Sequence, residues 1–351
     1  MHSKFTEENY LGNRSQLFRV QESSVIGGKA NGFRMVDMWN ETGLHISILQ
    51  DRAMDIGYFS YKGINFSYHS PSGLVAPQYF HSHEDGFARN WYGGLITTCG
   101  LTFAGIPCND NGDRLPLHGL IDNIPASATF AGVEYEDGYA VMVARGEMAQ
   151  AVQGGENLLL KREIRCGAQK KSIKLSDSVT NLGITAQPLM LIYHCNLGYP
   201  LLAEGSYALF ASKSTQGRTE NSKRDLDSCR LFIQPQQEYE EQSFYHTMLG
   251  DANGNTLAAI INPRLSLGLA LQYNLSQCKM TTQVKLMQAG AYMATIEPGN
   301  CGVEGRKAER ELGRLEMIQS GETRRFGLEI EVLDGVEEIH TFEERIRKLC
   351  S

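Results

Sequence analysis

The sequence predicts an all-β protein, built as an antiparallel sandwich or barrel from many strands joined by short turns. Apolar and other residues alternate in strand-length segments such as 44–49, and turn residues such as Glu136-Asp137-Gly138 separate these segments. Helical periodicity is confined to the C-terminal end, where Ile339, Phe342, Ile346 and Leu349 recur at helical spacing. A sheet protein with a short C-terminal helix is therefore expected.

Paired strand patterns run through most of the chain. The predicted hairpins are 58–61 with 64–68, 128–135 with 139–145, 158–166 with 172–180, and 256–261 with 267–273, followed by one more strand at 325–333. Nothing between residues 150 and 190 has the composition of a linker, so we predict one domain over residues 1–351.

Composition narrows the class of protein. The net charge of −7 and the lack of a basic stripe argue against a nucleic-acid partner. The N-terminal residues are charged where a signal peptide is apolar, and no segment reaches membrane-spanning length, so a cytoplasmic protein without a membrane partner is expected. Eight cysteines without a C-x-x-C pair predict free thiols. The number of subunits is left open, and a homodimer is compatible with the sequence.

The stretch Leu189–Pro200 carries the strongest functional signal. An apolar run of strand length ends in His194 and Asn196, and a second strand far downstream ends in Glu297. A histidine and a glutamate on neighbouring strands can act as an acid/base pair. A hydrogen-bonded framework histidine is the alternative. A Cys195 nucleophile is disfavoured, because adjacent residues of a strand point to opposite faces.

The loops add further candidates. Arg52 lies in the turn Asp51–Gly57 and could either bind two hydroxyls or form an ion pair within the turn. Residues 71–123 are rich in Gly, Pro, His and aromatics, so we expect a long functional loop region. His81 and His83 have the spacing of metal ligands, but a surface loop is favoured over a metal site.

Five motifs together carry a resemblance to a known family. They are Asp51-Arg52-Ala53-Met54-Asp55-Ile56-Gly57, residues 93–101 (Gly-Gly-Leu-Ile-Thr-Thr-Cys-Gly-Leu), Leu117-His118-Gly119, residues 194–200 (His-Cys-Asn-Leu-Gly-Tyr-Pro) and Glu297-Pro298-Gly299-Asn300. This combination resembles the aldose 1-epimerase (galactose mutarotase)-like superfamily, and more narrowly a less characterised bacterial branch of it. The likeness extends from about residue 15 to residue 333.

The resemblance implies a single large antiparallel β-supersandwich whose concave face binds a small-molecule carbohydrate. It implies His194 as general acid and Glu297 as general base, with no cofactor and no metal. The residues expected to bind the substrate are Arg52, Asp55, His118, Asn196 and Gln272. The family's sugar-binding aspartate has no assigned counterpart here. Trp91 and Tyr92 could stack on a sugar face or pack in the core.

The residue types suit an anomer interconversion. The base removes a proton from the anomeric hydroxyl while the acid protonates the ring oxygen, so that the ring opens, rotates and recloses. Two alternatives stay open at this point. One is a glycoside-processing enzyme that uses two carboxylates, for example Glu297 with Asp55. The other is a sugar-binding or regulatory protein without catalytic activity.

Overall fold

The computed structural model describes residues 9–83 and 86–351, and most of them form strands. In the first part of the chain the strands are β1 (Arg19–Ser24), β2 (Arg34–Trp39), β3 (Leu44–Leu49), β4 (Asp55–Tyr61), β5 (Ile64–Asn65), β6 (Tyr68–His69), β7 (Gly93–Gly94), β8 (Ile96–Leu101), β9 (Cys108–Asp110), β10 (Asp113–Leu115), β11 (Ser127–Glu136) and β12 (Tyr139–Ala151).

The second part of the chain supplies the central strands of the two large sheets. Its strands are β13 (Asn157–Gly167), β14 (Ser172–Asn181), β15 (Gln187–Leu197), β16 (Tyr207–Phe210), β17 (Ser212–Gly217), β18 (Gln242–Met248), β19 (Asn255–Asn262), β20 (Leu267–Asn274), β21 (Met280–Gln288), β22 (Ala291–Gly299), β23 (Glu316–Ile318) and β24 (Thr323–Asp334).

Helices are few and mostly short. The α-helices are α1 (Gly86–Asn90), α2 (Glu220–Arg224), α3 (Gly305–Glu311) and α4 (Val336–Cys350), and 3-10 turns occupy Arg14–Gln16, Gly28–Ala30, Pro77–Tyr79, Ile121–Asn123 and Leu226–Ser228. The sequence predicted only the last α-helix, because a helix of one or two turns is too short to show a period. None of the helices in the described ranges is long and apolar enough to cross a membrane.

Two large antiparallel sheets pack face to face and confirm the predicted all-β class. The eight-stranded sheet has the order β11-β12-β13-β14-β24-β20-β19-β16. The seven-stranded sheet has the order β17-β18-β21-β22-β15-β23, with β8 paired to β15. A five-stranded sheet, β1 to β5, continues the sandwich. One core cluster takes alternate residues from both large sheets, including Leu191 of β15 and Leu271 of β20.

The predicted hairpins are confirmed, with their turns in the expected conformations. Asp137 and Gly138 have φ angles of 47° and 85°, and they join β11 to β12 with Glu136 opposite Tyr139. A tight two-residue hairpin turn needs a positive φ at both of its central positions, and Asp-Gly tolerates this conformation. The predicted C-terminal helix is α4, and it packs Ile339, Phe342 and Ile346 on the outer face of the eight-stranded sheet.

The expectation of one long loop over residues 71–123 is wrong in its centre. Ile96–Leu101 form β8, a fully buried strand in which Thr97 pairs with His194 of β15. The glycines and threonines hid this strand, because they give neither an apolar run nor a clear alternation. The remainder of the segment does lie beside the candidate site, through α1 and the loop around His118.

Candidate functional site

Strand alternation puts the candidate acid and base on the same face of the seven-stranded sheet. In β15, Tyr193 and Cys195 point into the core between the sheets, so His194 and Asn196 point to the outer face. In β22, Ile296 points into the same core and pairs with Cys195, while Asn196 pairs with Thr295. Glu297 therefore joins His194 on the outer face, as the sequence predicted for neighbouring strands.

His194 and Glu297 are in direct contact. The imidazole Nε2 lies 3.3 Å from Oε1 of Glu297, and the two side chains are 10% and 1% exposed. Both groups are therefore shielded from bulk water, which strengthens their mutual interaction. This arrangement brings together two of the residues selected from the sequence.

Asn196 fixes the orientation of the histidine ring. Its amide nitrogen Nδ2 donates to the backbone carbonyl of His194 at 2.9 Å, which turns its Oδ1 toward the imidazole Nδ1 at 2.5 Å. Since Oδ1 can only accept, Nδ1 must carry a proton. Any acid or base chemistry of His194 is therefore confined to Nε2, the nitrogen that faces Glu297.

Thr295 orients Glu297 in a similar way. The backbone N–H of Val284 donates to Oγ1 of Thr295 at 2.8 Å, so the threonine hydroxyl donates its own proton to Oε1 of Glu297 at 2.6 Å. Within the described residues, the second carboxylate oxygen Oε2 has no hydrogen-bond donor from the protein. That oxygen is the one left to interact with a ligand.

The Leu117-His118-Gly119 motif forms one wall of the site. His118 has a φ of 60°, and its ring meets that of His194 edge-on, with 5.5 Å between the ring centroids. A Cβ on Gly119 would lie 2.1 Å from the carbonyl oxygen of Gly100, so only glycine lets the motif approach β8 this closely. Burial, reinforced by His194 and Arg218, lowers the pKa of His118 to about 3.

His118 has an unused hydrogen-bonding atom. Its Nδ1 is shielded from solvent and has no partner among the described residues. A buried polar atom without a partner costs free energy, and a ligand that supplies the missing hydrogen bond would recover it. His118 therefore stays uncharged and keeps one unpaired polar atom next to His194, and its role in binding a sugar remains a prediction.

Trp91 is a second aromatic neighbour of His194, and Phe87 packs against both Trp91 and His118. Its ring lies edge-on to His194 at 5.8 Å between centroids, and its Nε1–H donates to Oγ1 of Thr97 at 3.0 Å. Trp91 therefore contributes an aromatic surface to the site. Tyr92 instead packs with His69, at 4.9 Å between ring centroids, and with a small apolar cluster outside the site.

Asn300 explains the last part of the Glu297-Pro298-Gly299-Asn300 motif. Its Oδ1 accepts from the backbone N–H of Leu191 at 2.7 Å, and its Nδ2 donates to the carbonyl of Leu189 at 2.9 Å. These two bonds tie the end of β22 to β15 immediately before His194. The motif therefore supports the position of the histidine as well as that of the glutamate.

Sequence reasoning missed a second group of polar residues near the acid/base pair. Thr282 of β21 pairs with Glu297, and Tyr245 of β18 pairs with Thr282. The hydroxyl of Tyr245 donates to Oε1 of Glu304 at 3.2 Å, and Glu304 also accepts from Nε of Arg218 at 2.7 Å. Residues 242–248 (Gln-Ser-Phe-Tyr-His-Thr-Met) do not alternate between apolar and polar, so no local signal marked β18 or its outward-facing side chains.

Glu241 is the other residue that the sequence did not single out. It directly precedes β18, and its side chain is accessible to solvent. Partial burial and the carboxylate of Glu297 raise the pKa of Glu241, whereas His194 and Arg218 oppose the rise. Glu241 therefore lies within electrostatic range of both members of the acid/base pair.

Arg52 is buried behind the site. Its guanidinium donates to the carbonyl of Val75 and to side-chain oxygens of Asp122, Asn90 and Asn123. Burial lowers the pKa of Arg52 and raises that of Asp122 to about 7. The ion pairs of this turn reach outside it, so the interpretation of a salt bridge within the turn is not supported. A sugar-binding role for Arg52 stays a prediction.

Asp55 belongs to a buried ionic network on the core side of the sheet. It accepts from Nη1 of Arg162 at 2.6 Å and from the backbone N–H of Thr98 at 2.8 Å. Arg162, with a side chain of zero exposure, also binds Asp177, which in turn accepts from the hydroxyl of Tyr193. Burial raises the pKa of Asp55 and Arg162 opposes the rise. Asp55 therefore supports the strands that carry His194 and is not open to a ligand.

The structure does not bring Gln272 to the site. In β20, Leu271 and Tyr273 point into the core, so Gln272 points to the outer face of the eight-stranded sheet. There its Oε1 accepts from Nη2 of Arg345 in α4 at 3.0 Å. The expectation that Gln272 contacts the same ligand as His194 is therefore corrected, and the cause is the register of its strand.

The remaining candidates are also accounted for. Cys195 points into the core, where burial raises the pKa of its thiol, and all eight cysteines are free. His81 and His83 are exposed, while Glu84 lies outside the described residues. Across residues 9–83 and 86–351, no three His, Cys, Asp or Glu side chains meet as metal ligands would.

Several solved structures similar to this chain are named as sugar epimerases or mutarotase-like proteins. A candidate aldose 1-epimerase from Klebsiella pneumoniae is 25% identical, covers 97% of this chain and 91% of its own, and superposes with a TM-score of 0.92. A galactose mutarotase-like protein from Clostridium acetobutylicum is 14% identical over 91% of this chain and 99% of its own, with a TM-score of 0.61. Galactose 1-epimerase from Lactobacillus acidophilus is 11% identical over 91% of this chain and 99% of its own, with a TM-score of 0.60.

These likenesses confirm the resemblance to the aldose 1-epimerase (galactose mutarotase)-like proteins. No curated protein sequence matches the chain. One family model, whose description is "domain of unknown function", matches residues 30–332 and so includes His194, His118 and Glu297. The chain therefore belongs to the DUF4432 family, within the galactose mutarotase-like fold.

Proposed function

We propose that the protein interconverts the α and β anomers of a free sugar or sugar derivative, by acid/base-assisted ring opening. The observation that carries this proposal is the contact between Nε2 of His194 and Oε1 of Glu297. Because Asn196 holds the histidine proton on Nδ1, a neutral imidazole would face a carboxylate with its lone pair. The proposed reaction needs one proton that the two groups share, carried on Nε2 of His194 before the sugar reacts.

A pair that holds one proton suits a reaction that moves one proton between two oxygens of the same carbon. Glu297 accepts the proton of the anomeric hydroxyl, and His194 donates its Nε2 proton to the ring oxygen as the bond from that oxygen to the anomeric carbon breaks. The carbonyl product rotates about the neighbouring carbon–carbon bond. His194 then takes the proton back from the ring hydroxyl as it attacks, and Glu297 returns its proton to the carbonyl oxygen.

The surrounding residues fit this chemistry. His118 stays neutral and offers an unpartnered Nδ1 beside His194, so it can bind a sugar oxygen without competing for the reacting proton. Trp91 supplies an aromatic surface next to the imidazole. The reaction needs no cofactor, since both protons are carried by side chains.

The glycoside-processing alternative loses its second carboxylate. Asp55 is bound by Arg162 and Thr98 in the core, so it cannot share a ligand with Glu297. Glu241 is a carboxylate within electrostatic range of Glu297. A bond-cleaving enzyme would have to use that pair, and it would release a reducing sugar from a glycoside.

The test is NMR measurement of anomer exchange with a panel of aldoses, ketoses, uronic acids, deoxy sugars and sulfonated sugars. We expect acceleration for one class, and loss of at least about 100-fold in Glu297→Gln, because removal of a general base costs about two to four powers of ten. The matched control is Glu329→Gln, which changes an exposed glutamate on the other large sheet and should leave the exchange rate unchanged.

Two results would reject the proposal. Binding of a sugar without accelerated exchange would indicate a sugar-binding or regulatory protein. Release of a reducing sugar from an aryl glycoside would indicate glycoside cleavage.

A further inference from the structure

We infer that Glu304 makes the site select uncharged sugars over acidic sugars, because it neutralises Arg218 at the end of the site that is distant from the reacting pair. With Arg218 and Glu241, Glu304 would read the part of the sugar far from its anomeric carbon. This inference rests on the proposed function, which takes His194 and Glu297 as the reacting end.

The position of this distal group follows from the strand register. Glu297, Thr282 and Tyr245 form one row across three adjacent strands of the seven-stranded sheet. Adjacent strands are about 4.8 Å apart, so the backbone of Tyr245 lies roughly 10 Å from that of Glu297. Tyr245 donates its hydroxyl to Glu304, which binds Arg218. The ion pair is therefore displaced sideways from the acid/base pair, along the same face of the sheet.

Arg218 is only partly used by the protein. It binds Glu304 through one edge of the guanidinium, with Nε at 2.7 Å from Oε1 and Nη2 at 3.3 Å from Oε2. Its Nη1 has no acceptor among the residues that the structure describes, and the side chain is 19% exposed. The end of the guanidinium can therefore donate to a ligand while the pair with Glu304 stays intact.

Glu241 complements those donors. Its accessible carboxylate lies within electrostatic range of Arg218, Glu297 and His194. A carboxylate can only accept and a guanidinium can only donate, so the two together suit neighbouring hydroxyls, one of which donates while the other accepts. A polyhydroxylated sugar without a charged substituent satisfies both groups.

The balance of charge opposes an acidic substituent. Arg218 brings one positive charge to the distal group, whereas Glu304 and Glu241 bring two negative charges. A carboxylate, sulfonate or phosphate on the sugar would add another negative charge beside them, and like charges in a partly buried site repel strongly. Without Glu304, the charges of Arg218 and Glu241 would balance, and the Nε and Nη2 donors that Glu304 now occupies would be free to bind an anion.

The experiment compares Glu304→Gln with the unmodified protein, using an aldohexose and the uronic acid of the same configuration. The readout is the ratio of kcat/KM for anomer exchange, acid over neutral sugar. For the unmodified protein we expect the acid to be at least about tenfold worse, and in Glu304→Gln we expect this ratio to rise by about tenfold or more. Arg218→Gln should weaken binding of the neutral sugar and leave the ratio of acid to neutral sugar low. Thermal unfolding checks that each variant folds.

The outcomes separate this inference from the proposed function. Two results overturn the inference alone. In one, anomer exchange of the neutral sugar is accelerated but the ratio is unchanged in folded Glu304→Gln. In the other, the unmodified protein prefers the uronic acid. If the unmodified protein accelerates no sugar, the proposed function fails. In that case the readout becomes the affinity for the uronic acid relative to that for the neutral sugar, from dissociation constants measured by saturation-transfer NMR titration. If Glu304→Gln does not change this relative affinity, the inference is again overturned.

Discussion

Replacement of Asn196 by leucine should slow anomer exchange without disturbing sugar binding. The side chain has zero exposure, and both of its polar atoms are used by His194. Leucine has a similar shape but neither accepts from Nδ1 nor donates to the His194 carbonyl. The imidazolium would then lose the acceptor that stabilises its charge and fixes its ring orientation.

The size of the effect follows from the hydrogen bond that is lost. A hydrogen bond to a charged group contributes about 1.5 to 3 kcal/mol. Since about 1.4 kcal/mol corresponds to a factor of ten in rate, kcat should fall roughly 10- to 150-fold. KM should change much less, because Asn196 has no exposed surface and both of its polar atoms are already engaged by His194.

Anomer exchange by NMR gives kcat and KM, and Asn196→Asp is the matched control. Aspartate keeps an acceptor for Nδ1 and so preserves the orientation of the imidazole ring, and Asn196→Asp should therefore retain more of kcat than Asn196→Leu. Equal kcat for Asn196→Leu and the unmodified protein, with both folded, would refute the role of His194 as an oriented acid. An increase in KM alone would instead make Asn196 a sugar ligand.

Three further predictions concern neighbouring groups. Thr295→Val removes the hydroxyl that donates to Glu297, so kcat for anomer exchange should fall by about tenfold or more, because a hydrogen bond to a charged group contributes about 1.5 to 3 kcal/mol; an unchanged kcat in the folded variant would contradict a role for this contact in orienting the base. Asp55→Asn should lower the free energy of unfolding in urea by about 3 kcal/mol, because it breaks a buried ion pair with Arg162. Lost activity at unchanged stability would instead indicate a catalytic role for Asp55. Burial lowers the pKa of His246 to about 3, so below about pH 6.5 the unfolded state binds more protons than the folded state, and stability falls as the pH drops. Between pH 7.5 and 5.5, the unfolding free energy of His246→Phe should therefore fall by about 1.4 kcal/mol less than that of the unmodified protein. An identical fall in the variant would refute this.

The fold was largely predictable because period-two patterns and turn residues are local signals. The turn at Asp137-Gly138 and the strands β13, β14, β19 and β20 lie close to their predicted positions. Ile96–Leu101 escaped prediction because a strand buried on both faces and rich in threonine and glycine shows no alternation. Its place beside β15 is a tertiary fact, set by the pairing of Thr97 with His194.

The site was predictable only where two strands end in chemically distinctive residues. His194 and Glu297 are such residues, and the register of β15 and β22 brings them into contact. Gln272 lies away from the site because a polar residue in a strand can face either side, and the register of the strand decides which. Glu241, Glu304 and Arg218 come from different segments, and no local pattern connects them.

The buried arginine network explains why residues in a functional motif need not touch a ligand. Arg162 joins Asp55 of β4, Asp177 of β14 and Thr98 of β8, and Asp177 binds Tyr193 of β15. Thr98 and Tyr193 directly adjoin Thr97 and His194, which lie on the opposite face of the same sheet. Since a buried ion pair offers little net stability over apolar packing, its clearest contribution here is geometric. A single buried cation therefore ties β4, β8 and β14 together directly and reaches β15 through Asp177, which fixes the position of the strand that carries His194.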